Sequence, residues 1–234
     1  MQSLGNGYNA VIIGSTGGIG NAIAAAVESD PRCGRIWRLA RSGGDDHLDL
    51  LDEASVEQAA SQTAEQLGEI DLLIDATGTL HIDGQGPEKA LSQIEPAAMA
   101  QAFAVNAIGP ALLFKHFAPL LPRDRRAIFA TLAARIGSIG DNRIGGWISY
   151  RASKAALNQI VRTASIEIGR RSPEAVCVSL HPGTVETPLS RPFVGSRDVF
   201  SPDESAAKLL SVLDGLTPEK TGWQFAYDGR RVPE

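Results

Sequence analysis

The chain has little of what would mark it for disulfide stapling, metal capture or nucleic-acid contact. Cys33 and Cys177 are its two cysteines in 234 residues, and they form no Cys-x-x-Cys pair. So few thiols exclude a disulfide framework and fit a reducing, cytoplasmic setting. His47, His81, His116 and His181 are scattered without metal-ligand spacing, so no metal is expected. The formal charge of −5 carries no basic footprint for nucleic acid, and Arg123, Arg125 and Arg126 read as a solvated loop. No apolar run approaches the ~20 residues that span a bilayer, and residues 1–7 lack the basic and apolar regions of a signal peptide. Nor is there a low-complexity tract, which leaves an ordinary globular chain of one domain, 1–234, as the expectation.

What is present is a regular alternation of short apolar runs and helical periodicities. Residues 9–14 form an apolar run ended by glycines, after which Ile19, Ala22, Ile23, Ala26 and Val27 mark one helix face. Strands are predicted at 35–40, 72–76, 127–132, 175–180 and 222–227, with a short extra strand near 47–50. Helices are predicted at 53–67, 97–121 with a break or kink near Gly109-Pro110, 149–169 and 203–213. That order predicts an α/β fold, a Rossmann-type doubly wound parallel sheet flanked by helices.

Between the first strand and first helix stands Gly14-Ser-Thr-Gly-Gly-Ile-Gly20. Glycines let a phosphate approach the backbone, and the free amides at a positive helix end attract it. The glycine positions Gly14, Gly18 and Gly20 give Gly-x-x-x-Gly-x-Gly rather than Gly-x-Gly-x-x-Gly. Further along come Asp49-Leu50, Asp75-Ala-Thr-Gly78, Asn106, Tyr150-x-x-x-Lys154 and Pro182-Gly-Thr-Val-Glu-Thr187. In this order the chain resembles the short-chain dehydrogenase/reductase family across nearly its whole length. The segments 137–158 and 222–229 look most like its C-factor and sniffer-like members, which are linked with carbonyl reduction and, in some cases, with signalling between cells.

The resemblance implies a nicotinamide cofactor with Ser15, Thr16 and Ile19 along the pyrophosphate turn and Asp49 and Leu50 at the adenine. Ala76 and Gly78 would flank the adenine ribose, while Pro182, Gly183, Val185 and Thr187 would lie toward the nicotinamide. The second strand ends in Leu39-Ala-Arg41-Ser42, without the acid that would pair a ribose 2′-hydroxyl and with an arginine able to fork onto a 2′-phosphate. NADP(H) is therefore expected in preference to NAD(H), which remains the alternative.

Tyr150 and Lys154 lie one turn apart on one helix face. A phenol has to give or take a proton as hydride moves, and an adjacent ammonium lowers its pKa. The family further implies that Lys154 bonds the nicotinamide ribose and that Asn106 holds a water leading to solvent. One departure stands out: Ala133 and Ala134 occupy the positions of the family serine that polarises the substrate carbonyl. Ser138 is the nearest stand-in, the alternative being a turn hydrogen bond.

A small carbonyl or alcohol is thus the expected partner. Leu80, Trp147, Phe193, Val194 and Phe200 are candidates for an apolar pocket wall, and the family implies a homodimer or homotetramer. The other functional class considered is a dinucleotide-binding regulatory or signalling protein with weakened catalysis.

Overall fold

Seven strands form one parallel sheet in the order β3-β2-β1-β4-β5-β6-β7. In this computed structural model, residues 1–82, 84–193 and 199–234 are described. The strands are β1 (Tyr8–Ile13), β2 (Cys33–Ala40), β3 (Asp46–His47), β4 (Leu72–Asp75), β5 (Ala127–Leu132), β6 (Ala175–His181) and β7 (Gln224–Ala226). The main helices are α1 (Gly18–Glu28), α2 (Glu53–Leu67), α3 (Pro96–Phe103), α4 (Gly109–Phe117), α5 (Ile148–Arg171) and α6 (Pro202–Gly215).

Because successive strand residues face opposite ways, the apolar runs feed two cores. Val11 and Ile13 of β1 join Phe129 and Cys177 on one face, covered by residues of α2, α4 and α5 such as Val56, Phe117 and Leu157. Ala10 and Ile12 join Ile74, Ile128 and Val178 on the other, covered by Ile23 of α1 and Leu209 of α6. Fully burying each such Val, Leu, Ile or Phe contributes about 1.5–3 kcal/mol. The order reverses between β1 and β4, so their carboxyl ends splay apart and leave a crevice there, where ligands bind in open α/β sheets.

The stretch Pro96–Leu120 corrects one expectation, since by length and composition it is apolar enough to cross a membrane. Scattered polar residues such as Asn106 and Lys115 break the run in the sequence without lowering its average enough. Here it lies on the sheet: Leu113 and Phe117 are fully buried and Phe114 stacks on Phe129 at 4.1 Å. Its break falls where the sequence placed it, near Gly109-Pro110, at a π-helical turn spanning Ala104–Ile108. Pro110, which has no N–H to give to the preceding turn, follows it in the first turn of α4. Asn106, in the π turn, is fully buried and turned toward another segment.

The amino end of α5 has no cap of its own, because its N-cap Trp147 is left-handed at φ 56° and makes no side-chain cap bond. Glu88 serves instead. Its carboxylate accepts from the Ser149 amide at 3.2 Å and from the Ser149 hydroxyl, while its carbonyl accepts from the Trp147 amide at 2.5 Å. Burial pushes the Glu88 carboxyl up, but the Ser149 hydrogen bonds outweigh it and hold the group below its ordinary value. Its contribution is therefore present above the ordinary glutamate range and is lost as pH falls through the lowered value. Glu88→Ala is expected to cost about 1–2 kcal/mol at neutral pH. Denaturant titrations at neutral and acid pH check this, and the two proteins should converge in acid.

Candidate active site

The glycine turn works by close approach. Gly14 sits at φ 75°, and a Cβ on Gly20 would lie 2.2 Å from the Gly14 carbonyl oxygen, so α1 can start directly over the end of β1. No side chain caps the first turn of α1, which leaves its amides for an anion.

A cavity of about 450 Å³ opens beside this turn, lined by Gly14, Thr16, Arg41, Ser42, Asp49, Leu50, Ala76 and Gly78 among others. Ser15 lies in the turn itself, where its hydroxyl donates inward to the Leu39 carbonyl at 3.3 Å and the residue is buried. Arg41 is exposed at the end of β2. The nearby acid Asp45 is engaged elsewhere, accepting from the Arg38 amide at 2.9 Å and its Nε at 3.4 Å. A Cβ on Gly78 would stand 3.3 Å from Lys154 Nζ and 3.4 Å from Asn106 Oδ1. The absence of a side chain there keeps open the space between the glycine turn and the lysine, a cradle that suits a dinucleotide.

A second cavity, of about 400 Å³, holds Tyr150 together with Ile19, Ala133, Ala134, His181, Pro182, Gly183, Val185 and Thr187. Gly18 links the two regions, since a Cβ there would meet Thr187 Cγ2 at 2.9 Å. Leu80 and Trp147 also line this cavity, whereas Phe200 packs edge-on against Tyr227 at 4.8 Å. Val194 and the side chain of Phe193 lie outside the described residues.

Lys154 is buried and its ammonium donates to the Leu132 carbonyl at 2.9 Å. Burial lowers its pKa to about 8 against an opposing pull from Asp75. Tyr150 is raised to about 12 by burial, so in this arrangement the phenol keeps its proton, and the expected lowering by Lys154 is not expressed. Asn106 is enclosed: Oδ1 accepts from the Thr79 amide at 2.9 Å, and Nδ2 donates to the Thr79 carbonyl at 2.9 Å and to Ser153 Oγ at 3.2 Å. Ser153 in turn donates to the Tyr150 carbonyl at 2.9 Å. Asn106 therefore ties the loop after β4 to the helix carrying the Tyr-Lys pair.

Ser138 is not brought to the pair. Its hydroxyl accepts from the Asp141 amide at 3.1 Å in a turn, and it does not line the cavity that holds Tyr150. The residues around that cavity that sequence reasoning missed include Arg151 and His181. Arg151 donates to the carbonyls of Ile136, Gly145 and Gly146 at 3.2, 3.1 and 2.9 Å. It fixes the loop before α5 as a wall. No spacing rule signals a side chain whose partners are the backbone carbonyls of an irregular loop.

A sequence profile of the family described as enoyl-(acyl carrier protein) reductase matches residues 14–215. C-signal of Myxococcus xanthus is 37% identical over 166 residues, 71% of this chain and 93% of that protein. The NADPH-bound carbonyl reductase from chicken fatty liver superposes with a TM-score of 0.84 at 24% identity, covering 99% of this chain and 96% of that one. A Burkholderia multivorans structure with bound NADP superposes at 0.78 with 25% identity, covering 97% and 99%. With the glycine turn, the crevice at the β1/β4 reversal and the Tyr-Lys pair, these matches establish that the chain belongs to the short-chain dehydrogenase/reductase family of oxidoreductases.

Proposed function

We propose that this protein is an NADPH-dependent carbonyl reductase that converts an aldehyde, ketone or quinone to the alcohol, with Tyr150 giving the proton. The observation that carries this reading is the position of Tyr150 in one cavity, with Lys154 one turn along the same helix beneath Gly78 of the other. When bound along the glycine turn, a reduced nicotinamide would supply the hydride that a carbonyl carbon takes up. Tyr150 donates its phenolic proton to the carbonyl oxygen, Lys154 holds the ribose side, and Asn106 positions the helix through Ser153 and Thr79. The reading is tested by following NADPH consumption and alcohol formation, one for one, across a panel of aldehydes, diketones and quinones.

Gly14, Thr16, Gly18 and Gly20 provide the phosphate turn, and Asp49, Leu50 and Ala76 the adenosine wall. Arg41 and Ser42 are the 2′-phosphate contacts in this reading. Arg41→Ala is expected to weaken NADPH binding about 10- to 100-fold, as loss of a charge-assisted hydrogen bond to phosphate does, and to leave NADH binding unchanged. Fluorescence titration with each cofactor measures both. Equal weakening of the two would assign Arg41 a structural role.

A homodimer or homotetramer belongs to the same proposal. The groove between α4 and α5, about 630 Å³, is lined by apolar residues such as Phe114, Ile160 and Ala164, and Ile108 and Ile166 are exposed on these helical segments. Free Cys33 and Cys177 suit a cytoplasmic setting.

A second reading, a dinucleotide-binding regulatory protein of weak catalysis, draws on Ala133 and Ala134 in the cavity wall and on the likeness to C-signal. It requires tight NADPH binding with no turnover across the same panel.

A further inference from the structure

The cavity that holds Tyr150 has alanines where its relatives are expected to carry a hydroxyl, and Ser138 is engaged in a turn. We propose that His181 provides the replacement, donating an imidazole N–H to the substrate carbonyl oxygen while Tyr150 delivers its proton there. This inference rests on the carbonyl-reductase reading above.

The position follows from the sheet. Leu132 of β5 pairs with Leu180 of β6, and the Ala133 amide donates to the Leu180 carbonyl at 2.8 Å. The next residue of β6, His181, therefore stands beside Ala133. Its face is that of Ser179, whose hydroxyl donates to Asn158 Oδ1 of α5 at 2.8 Å, because alternate strand residues share a face. Imidazole, Ala133, Ala134 and Tyr150 thus border one space. The missing hydroxyl and the imidazole are neighbours across two adjacent strand ends.

Other polar side chains of this wall have partners. Arg135 is paired with Asp141, and Arg151 is engaged by the carbonyls of its loop. Thr187 Oγ1 and Ser190 Oγ contact each other at 3.2 Å, and Ser190 also donates to the Val185 carbonyl. Thr184 is exposed to solvent. His181 differs: its Nδ1 is enclosed and has no hydrogen-bond partner.

Burial, helped by the charge of Arg135, pushes the His181 pKa down to about 4, so the ring is neutral at working pH and carries one N–H. An orphaned buried N–H is rarer than an under-used acceptor, which assigns the proton to Nε2. A neutral imidazole can polarise a carbonyl without surrendering a full charge. Tyr227 braces the ring at 6.2 Å between centroids and is itself packed on Phe200. The donor is held before substrate arrives, which is what stabilises a developing alkoxide.

The test uses His181→Phe, which keeps a ring against Tyr227 and removes both nitrogens, with Ala134→Ser and the double variant. Expected is a fall of about 100- to 1,000-fold in kcat/KM for carbonyl substrate with NADPH affinity unchanged. Ala134→Ser should restore at least tenfold in the His181→Phe background and add much less to the native chain, a non-additivity that general destabilisation does not produce. Native-like turnover of His181→Phe, or equal gain from Ala134→Ser in both backgrounds, would overturn the proposal. If the native chain reduces no carbonyl, the reductase reading fails and binding decides the role of His181. Isobutyramide, a carbonyl that is not reduced, is then titrated into the NADPH complex by fluorescence. Weaker binding to His181→Phe supports the donor role; equal binding, or none to the native chain, refutes it.

Discussion

Tyr150→Phe is expected to lower carbonyl turnover by about 10²- to 10⁴-fold, the usual contribution of a positioned general acid, while NADPH still binds. The change removes one oxygen and leaves the ring, whose edge-to-face contact with Trp147 at 6.2 Å does not depend on it. Because burial holds the phenol near 12, it is protonated throughout the neutral range and ready to donate. In the proposed mechanism Lys154 sets the alkaline side. Its pKa lies near 8 in the folded chain against an ordinary 10.5, so from about pH 8 upward the folded chain has released a proton that the unfolded chain retains. Stability contributed by this group therefore rises with pH across that window, while turnover that depends on the ammonium falls. Opposite slopes in kcat/KM and in denaturation free energy, both abolished in Lys154→Met, are the expected signature. Parallel slopes would mean that the ammonium has no part in the reaction.

Gly20→Ala carries the largest expected structural effect. The added methyl would stand 2.2 Å from the Gly14 carbonyl oxygen and 2.9 Å from its carbon, both backbone atoms that cannot swing aside. Relief requires α1 to lift off the end of β1. That opens the core around Ile23 and Val27 and displaces the uncapped amides of the first turn of α1. Overpacking of this kind costs about 1–3 kcal/mol or more, and dinucleotide binding should be lost with it. Gly169→Ala provides the contrast. A Cβ there meets nothing within 4 Å, so within α5 the change should stabilise by about 0.5–1 kcal/mol. Denaturant midpoints and NADPH titration of the two variants measure the pair. Equal behaviour would show that the glycine turn tolerates a side chain.

Much of this was legible because the signals are local. Apolar runs ended by glycine, helical periodicity and the order of short motifs depend on neighbours within a few residues. Hence α2 and β5 fall at their predicted bounds, 53–67 and 127–132. The break in the long helix was legible from Gly109-Pro110, which it adjoins, whereas the bonds from Asn106 to Thr79 on another segment were not. Spacing along the chain puts Ser15 in the glycine turn and Ser138 in the loop after β5, but says nothing of where their hydroxyls point. Which way a hydroxyl points is decided by the nearest unsatisfied carbonyl or amide, here those of Leu39 and Asp141.

The sequence by itself determined the fold class, the family and the spacing of Tyr150 and Lys154, since these rest on local patterns and on their order along the chain. Tertiary structure alone decided that Glu88 caps α5, that Arg151 pins the wall before it, and that His181 rather than Ser138 shares a cavity with Tyr150. Those relations run between different elements and loops, where register between strands and burial of polar atoms, rather than local propensity, set which groups meet.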